Sequence, residues 1–213
     1  MESNDTLNSL STRRSVMTVY SGTDCIDSHA SRIVVYEKDI DCEFVFTEPA
    51  DTCQELAELN PYNETPTRVD RDLVLYDSLI INEYLDERLP HPPLMPVDPV
   101  SRAKQRLMIM RLNRDWYPLV KSLQADRTND EARKELRDGL ISLSPLFAEQ
   151  DYVMGDEFTL CDVMLAPILW RLPVLNIVLP KQAEAIETYS ERLFARQTFI
   201  DSLSDTERDL RGF

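Results

Sequence analysis

Glycine is scarce, with four in 213 residues. Glycine supplies left-handed turns and the close backbone approach that phosphate-cradling loops need. The shortage therefore disfavours nucleotide-binding loops and points to a helix-rich chain with few tight turns. Histidine is scarcer still, at two, and the four cysteines, Cys25, Cys42, Cys53 and Cys161, form no C-x-x-C pair. A structural zinc site needs four well-placed ligands. No metal or other cofactor is expected, and the thiols are expected to be reduced and mostly buried. No apolar run approaches membrane-spanning length, and no basic region, apolar core and cleavage site open the chain. The reading is a cytoplasmic protein without membrane contact. Basic residues number 23 against 38 acidic ones, for a formal charge of -15. A field of that sign repels a phosphate backbone, so DNA is expected to be reached only indirectly, through a basic partner.

Proline is what the chain has in concentration. Five of the 13 prolines fall between Pro90 and Pro99, in Pro-His-Pro-Pro-Leu-Met-Pro-Val-Asp-Pro. Each fixes φ and lacks an N–H, and each pushes the preceding residue out of the α region. No helix or central strand runs through such a stretch. It reads as a stiff connector with little conformational entropy left to lose, which serves both as a hinge between two halves and as a surface to grip.

The two sides of this connector differ. Residues 1–15 are polar and read as an unpacked tail. Val16–Tyr20 is a β-branched strand pattern ending in a turn at Ser21–Asp24. A helix to about Lys38 follows, with Arg32 and Lys38 expected on its solvent side. Cys42–Phe46 alternates as a second strand, and Thr52–Leu59 is a short helix closed by Asn60-Pro61. Thr65-Pro66-Thr67 leads into a hairpin with a two-residue turn at Arg71-Asp72. Asp77 or Ser78 then caps a helix to Leu89. This order makes residues 16–90 a thioredoxin-like α/β domain, with 91–100 the connector and 101–213 an all-helical domain. In the second half, Ser101–Ala125 is amphipathic with a kink expected at Pro118, and Asn129–Gln150 bends near Ser144-Pro145. Thr159-Leu160-Cys161-Asp162 is a shortened capping box before Val163–Leu172, which is apolar nearly all round and is expected to be the core helix. Lys181–Ala195 and Thr198–Arg211 are the last two predicted helices.

A thioredoxin-like half, a Pro-bearing hairpin, a Ser-capped helix and a helical half built on Thr-x-x-Asp together resemble the glutathione S-transferase superfamily over residues 16–210. Three segments, Arg14–Thr18, Glu83–Val97 and Leu165–Pro173, are similar to the stringent starvation protein A family, bacterial regulators that associate with RNA polymerase. The resemblance implies a glutathione S-transferase-like homodimer without transferase activity. It implies binding to RNA polymerase holoenzyme, sigma factor included, and altered promoter use under starvation or stress. The docking surface it implies is Pro90, His91, Pro92, Pro93, Leu94, Met95 and Pro96, with Asp98 standing where relatives often carry an aromatic. It also places a vestigial glutathione pocket at Ser21, Cys25, Thr65, Pro66, Asp77 and Ser78. Of these, Pro66 and Asp77-Ser78 are also what the bare fold needs, Pro66 for the turn into the hairpin and Ser78 for the helix cap. The competing readings are a glutathione-dependent transferase or thiol reductase using Ser21 or Cys25, and a dimeric scaffold. Cys25 has a helix start in its favour, but Asp24 and Asp27 flank it and nearby carboxylates raise a thiol pKa. His29 is expected to face solvent or to sit satisfied in its helix. Trp170-Arg171-Leu172-Pro173 is expected to pack beneath the connector.

Overall fold

Residues 16–48 and 54–212 are described by the computed structural model; the tail, and Thr52 and Cys53 at the predicted helix start, lie outside them. Strand β1 (Met17–Gly22) sits inside a four-stranded sheet of order β2-β1-β3-β4. It pairs in parallel with β2 (Cys42–Thr47), from Met17 opposite Cys42 to Gly22 opposite Thr47. It pairs antiparallel with β3 (Thr67–Asp70), which turns through Arg71 and Asp72 into β4 (Leu73–Tyr76). Arg71 takes the left-handed conformation, φ 57°, that a tight hairpin turn requires. Helix α1 (Ile26–Glu37) makes the crossover between the parallel strands, α2 (Gln54–Leu59) leads to the hairpin, and α3 (Ser78–Arg88) packs beside α1.

Two expectations about this half need correction. β1 continues through Ser21 and Gly22, so the turn starts later than the sequence pattern placed it. Gly22 is required there: a Cβ would lie 2.6 Å from the Cys25 Cβ. Arg32 and Lys38 do not face solvent, being 1% and 5% exposed. α1 is covered by α3 on one flank and by helices of the second half on another, so it has no solvent-facing side broad enough to carry them.

The connector leads into α4 (Pro99–Arg111), which starts two residues before the predicted Ser101. Asp98 caps it by accepting from Ser101 N–H at 2.8 Å, and Pro99 takes the first helical position. The irregularity lies upstream of the kink expected at Pro118: a π turn, Leu112–Trp116, precedes α5 (Tyr117–Ala125), and Pro118 sits in the first turn of α5. α6 (Asp130–Ser142) and α7 (Ser144–Glu149) break where Ser144-Pro145 placed the bend. α8 (Leu160–Arg171) has every residue buried and forms the centre of the helical half. Its start carries the predicted box: Cys161 N–H donates to Thr159 Oγ1, and Asp162 reaches back to Thr159 N–H at 2.8 Å. α9 (Glu184–Phe194) follows a short 3-10 turn. The predicted last helix is two, α10 (Gln197–Ser202) and α11 (Asp205–Asp209), because Ser204 opens a second capping box with Glu207.

A buried ion cluster holds the halves together. Glu207 on α11 accepts from Arg32 on α1 and, at 2.5 Å, from Arg171 on α8; all three side chains are at most 1% exposed. Arg32 also donates to Ser21 Oγ and to the Ser202 carbonyl, and Arg171 Nη2 lies 3.0 Å from an Asp24 carboxylate oxygen. His29 is fully buried, with Nδ1 3.2 Å from an Arg171 nitrogen and 3.5 Å from Glu207, so it does not face solvent. Trp170 donates its indole N–H to the Glu207 carbonyl and packs on Phe194 and Phe199. Trp170 and Arg171 thus serve the domain junction rather than the underside of the connector.

Candidate functional site

The connector is clamped from below by groups of both halves. Lys38 Nζ, at the end of α1, reaches Asp86 Oδ1 and the Leu89 carbonyl, each at 2.7 Å, and the Pro92 carbonyl at 2.5 Å. Asp86 also accepts from Leu94 N–H at 2.7 Å. The Leu94 carbonyl takes donors from Gln105 on α4 and from Leu160 N–H at the start of α8. One buried lysine and one buried carboxylate so fix the chain on both sides of His91. The apolar anchor is Leu94 and Met95, 2% and 4% exposed. Those two residues belong to the core and are not available as a surface, because their side chains fill the space between the two halves. Pro90, His91, Pro92 and Pro93 are exposed and Pro96 is half-buried. The His91–Pro92 peptide is cis. Asp98, expected at the edge of this surface, is spent on the α4 cap.

Lys38, Asp86 and Gln105 were missed by sequence reasoning. A Lys at a helix end and an Asp on a helix face read as solvated charges, and nothing local in the sequence marks them as partners 48 residues apart. The Asp98-Pro99 cap was detectable, since Asp followed by Pro at the first helical position is a start signal.

The second candidate lies at the carboxyl end of β1. Cys25, Thr65, Pro66, Asp77 and Ser78 line two adjoining hollows of about 330 and 410 Å³. Ser21 does not join them. It is fully buried in β1, with Oγ accepting from Arg32. The Cys25 thiol donates to the Thr65 carbonyl, 3.6 Å away, beside the cis Thr65–Pro66 bond. Asp77, at φ 77°, is the cap of α3 and accepts from Leu79 N–H, while the Ser78 hydroxyl donates to Asp27 at 3.3 Å. Asp27 is also paired with Lys121 at 2.6 Å. Burial lowers the Lys121 pKa, but the hydrogen bond and charge of Asp27 outweigh it and leave it above its ordinary value. Asp24, Asp27, Glu48, Glu64 and Asp77 therefore surround a single lysine in the lining of the two hollows. A helix start is ordinarily an anion site; here its own carboxylates stand in front of it.

Of the other two described cysteines, Cys161 is buried and Cys42 half-buried. Burial, then the charge of Asp41, pushes the Cys42 thiol up to about 12, and burial, then the charge of Asp162, raises the Cys161 thiol. Among the described residues no group of three or more His, Cys, Asp or Glu side chains is placed to hold a metal ion. No helix among them is long and apolar enough to cross a membrane.

The glutathione S-transferase N-terminal domain model matches residues 15–87, and the C-terminal domain model matches residues 107–197. The stringent starvation protein A homolog of Coxiella burnetii is 45% identical over 202 residues, 93% of this chain and 97% of that relative. Its counterpart in Pasteurella multocida is 43% identical, covering 92% and 94%. Among solved structures, the Tau class glutathione S-transferase of mango superposes with a TM-score of 0.80 at 21% identity, over 94% of this chain and 97% of that one.

Proposed function

The chain belongs to the stringent starvation protein A family and has the glutathione S-transferase fold, and from that premise we propose that it is a regulator that docks on RNA polymerase holoenzyme through its connector. The observation that supports this reading is the clamp: Lys38 and Asp86 hold the backbone from beneath, while His91 and its flanking prolines point outward. A surface whose ordering entropy is already lost binds at lower cost. The docking surface consists of Pro90, His91, Pro92, Pro93 and the exposed edge of Pro96. Leu94 and Met95 act as its buried footing. The acidic chain, at -15, favours encounter with basic surfaces of a transcription complex and keeps DNA contact indirect. The working unit is a homodimer, in which the thioredoxin-like half of one copy meets the first long helices of the other.

Catalysis is not part of this proposal. Ser21 is locked in the buried ion cluster, and the start of α3, where an anionic tripeptide would place a carboxylate, is faced by Asp27 and Asp77. Calorimetric titration with glutathione should give no saturable heat, and turnover abolished by Cys25→Ser would replace this reading with a thiol enzyme. The direct test is co-purification with RNA polymerase holoenzyme, wild type beside His91→Ala. Retention of the wild type and loss of the variant is expected; equal retention removes the connector from the interface.

A further inference from the structure

Several buried polar atoms lack a partner, and in Asn82 both the donor and the acceptor of the side chain do. Asn82, on the inner face of α3, is 2% exposed, and neither its amide nitrogen nor its amide oxygen has a hydrogen-bond partner. It lines a cavity of about 110 Å³ between α3, α4 and α8. The rest of the lining is apolar, Leu79, Met95, Ile109, Met110, Leu160 and Met164, apart from Glu83 and Arg106. Those two bond each other, and with Met110 and the half-buried Leu79 they reach solvent, so they mark the side on which the cavity opens.

A buried carboxamide with donor and acceptor both unmet is costly. An apolar leucine would avoid that cost in the same space. Water is a poor remedy here, because an internal water needs two to four polar partners and the Asn82 amide is the one polar group in the lining not already paired. A cavity of about 150 Å³ accepts benzene, so this one has room for a molecule of about four to six non-hydrogen atoms. We infer that the cavity is a binding site for a small neutral ligand with a donor and an acceptor side by side, such as a primary carboxamide, on a short apolar body. Asn82 pairs with that polar edge, and the methionines, unbranched and adaptable, enclose the body. The inference is independent of the docking reading, since no connector residue exposed to solvent lines the cavity.

The Met95, Met110 and Met164 methyl groups are built-in reporters. Titration of the full chain with isobutyramide, followed by methionine methyl NMR, should shift these resonances saturably. Isopropyl methyl ketone, equal in shape but lacking the donor, should bind at least tenfold more weakly. Asn82→Leu should weaken isobutyramide binding tenfold or more and raise the melting temperature of the free protein. The proposal is overturned by no saturable shift, by equal affinity for amide and ketone, by unchanged amide binding in Asn82→Leu, or by a crystal structure grown with isobutyramide in which water or a side chain of a second copy sits against Asn82. If Asn82→Leu does not fold, the amide and ketone comparison on the wild type decides the matter.

Discussion

Burial pushes the His29 pKa down to about 3, against the pull of Glu207 and with help from Arg32 and Arg171. Glu207 is opposed by burial, yet its neighbours, His29, Arg32, Arg171 and the Ser204 N–H, bring it to about 2. These two groups place acid sensitivity in different windows. Below about 6.5 the unfolded chain protonates His29 and the folded one does not, so stability falls as pH drops from there toward 3. The Glu207 contribution is complete above its ordinary value of 4.5 and is lost as pH falls through about 2. His29→Gln should therefore flatten the decline between pH 6.5 and 4.5 and leave the steeper fall below it, as read by urea unfolding at each pH. Glu207→Gln leaves two buried guanidiniums short of a charge partner and should cost about 3–5 kcal/mol at neutral pH. A loss under 1 kcal/mol would mean that water replaces the carboxylate.

At the scale of the element, the connector separates anchoring from recognition. His91→Ala alters an exposed side chain and should change stability by no more than about 0.5 kcal/mol while costing about 2 kcal/mol or more of polymerase affinity. Lys38→Met removes nothing from the exposed face but breaks the bonds to Asp86, to the Leu89 carbonyl at the end of α3 and to the Pro92 carbonyl, and leaves Asp86 with the Leu94 N–H but without its charge partner. It should cost about 3 kcal/mol of stability and weaken binding as well. Thermal unfolding and polymerase affinity measured on both variants check the pair; a His91 variant with full affinity ends the docking assignment. The elements themselves were largely legible, because hydrophobic period, proline position and cap residues are local signals. The hairpin turn, the Thr159 box, the bend at Pro145 and the apolar α8 all lie where those signals put them. What failed was non-local. Arg32 and Lys38 are charged residues on or at the end of a helix and read as solvated, whereas their partners come from α3, the connector and α11. Leu94 and Met95 read as surface with their proline neighbours, since burial against α4 and α8 leaves no mark in a ten-residue window.

For the whole molecule, the ion cluster bridges the two halves, and they are expected to unfold as one unit. α10 and α11 bring Phe199, Ser202, Ser204 and Glu207 against α1 and α8. A chain ending at Arg196 would deprive Arg32 and His29 of the Glu207 carboxylate, and it should fail to show a cooperative melting transition. A sharp calorimetric transition in that truncated chain would show that the halves fold independently. The proposed homodimer should scatter light as twice the 24.7 kDa chain at micromolar concentration. Its association rate with polymerase should fall as salt rises, because the steering field of an acidic surface is screened beyond about 10 Å at 0.1 M.

The span between Arg32 and its carboxylate partner also sets an order of events during synthesis. Glu207 lies 175 residues after Arg32, and at about 5–20 residues per second a ribosome takes roughly 10–35 s to cover that distance. Through that interval the first half is out in the cell with its central cation unpaired, long after its strands and helices have had time to form. Its completion is timed by translation speed rather than by its own folding rate, and a pause anywhere along the helical half would lengthen the interval in which Arg32 lacks its carboxylate.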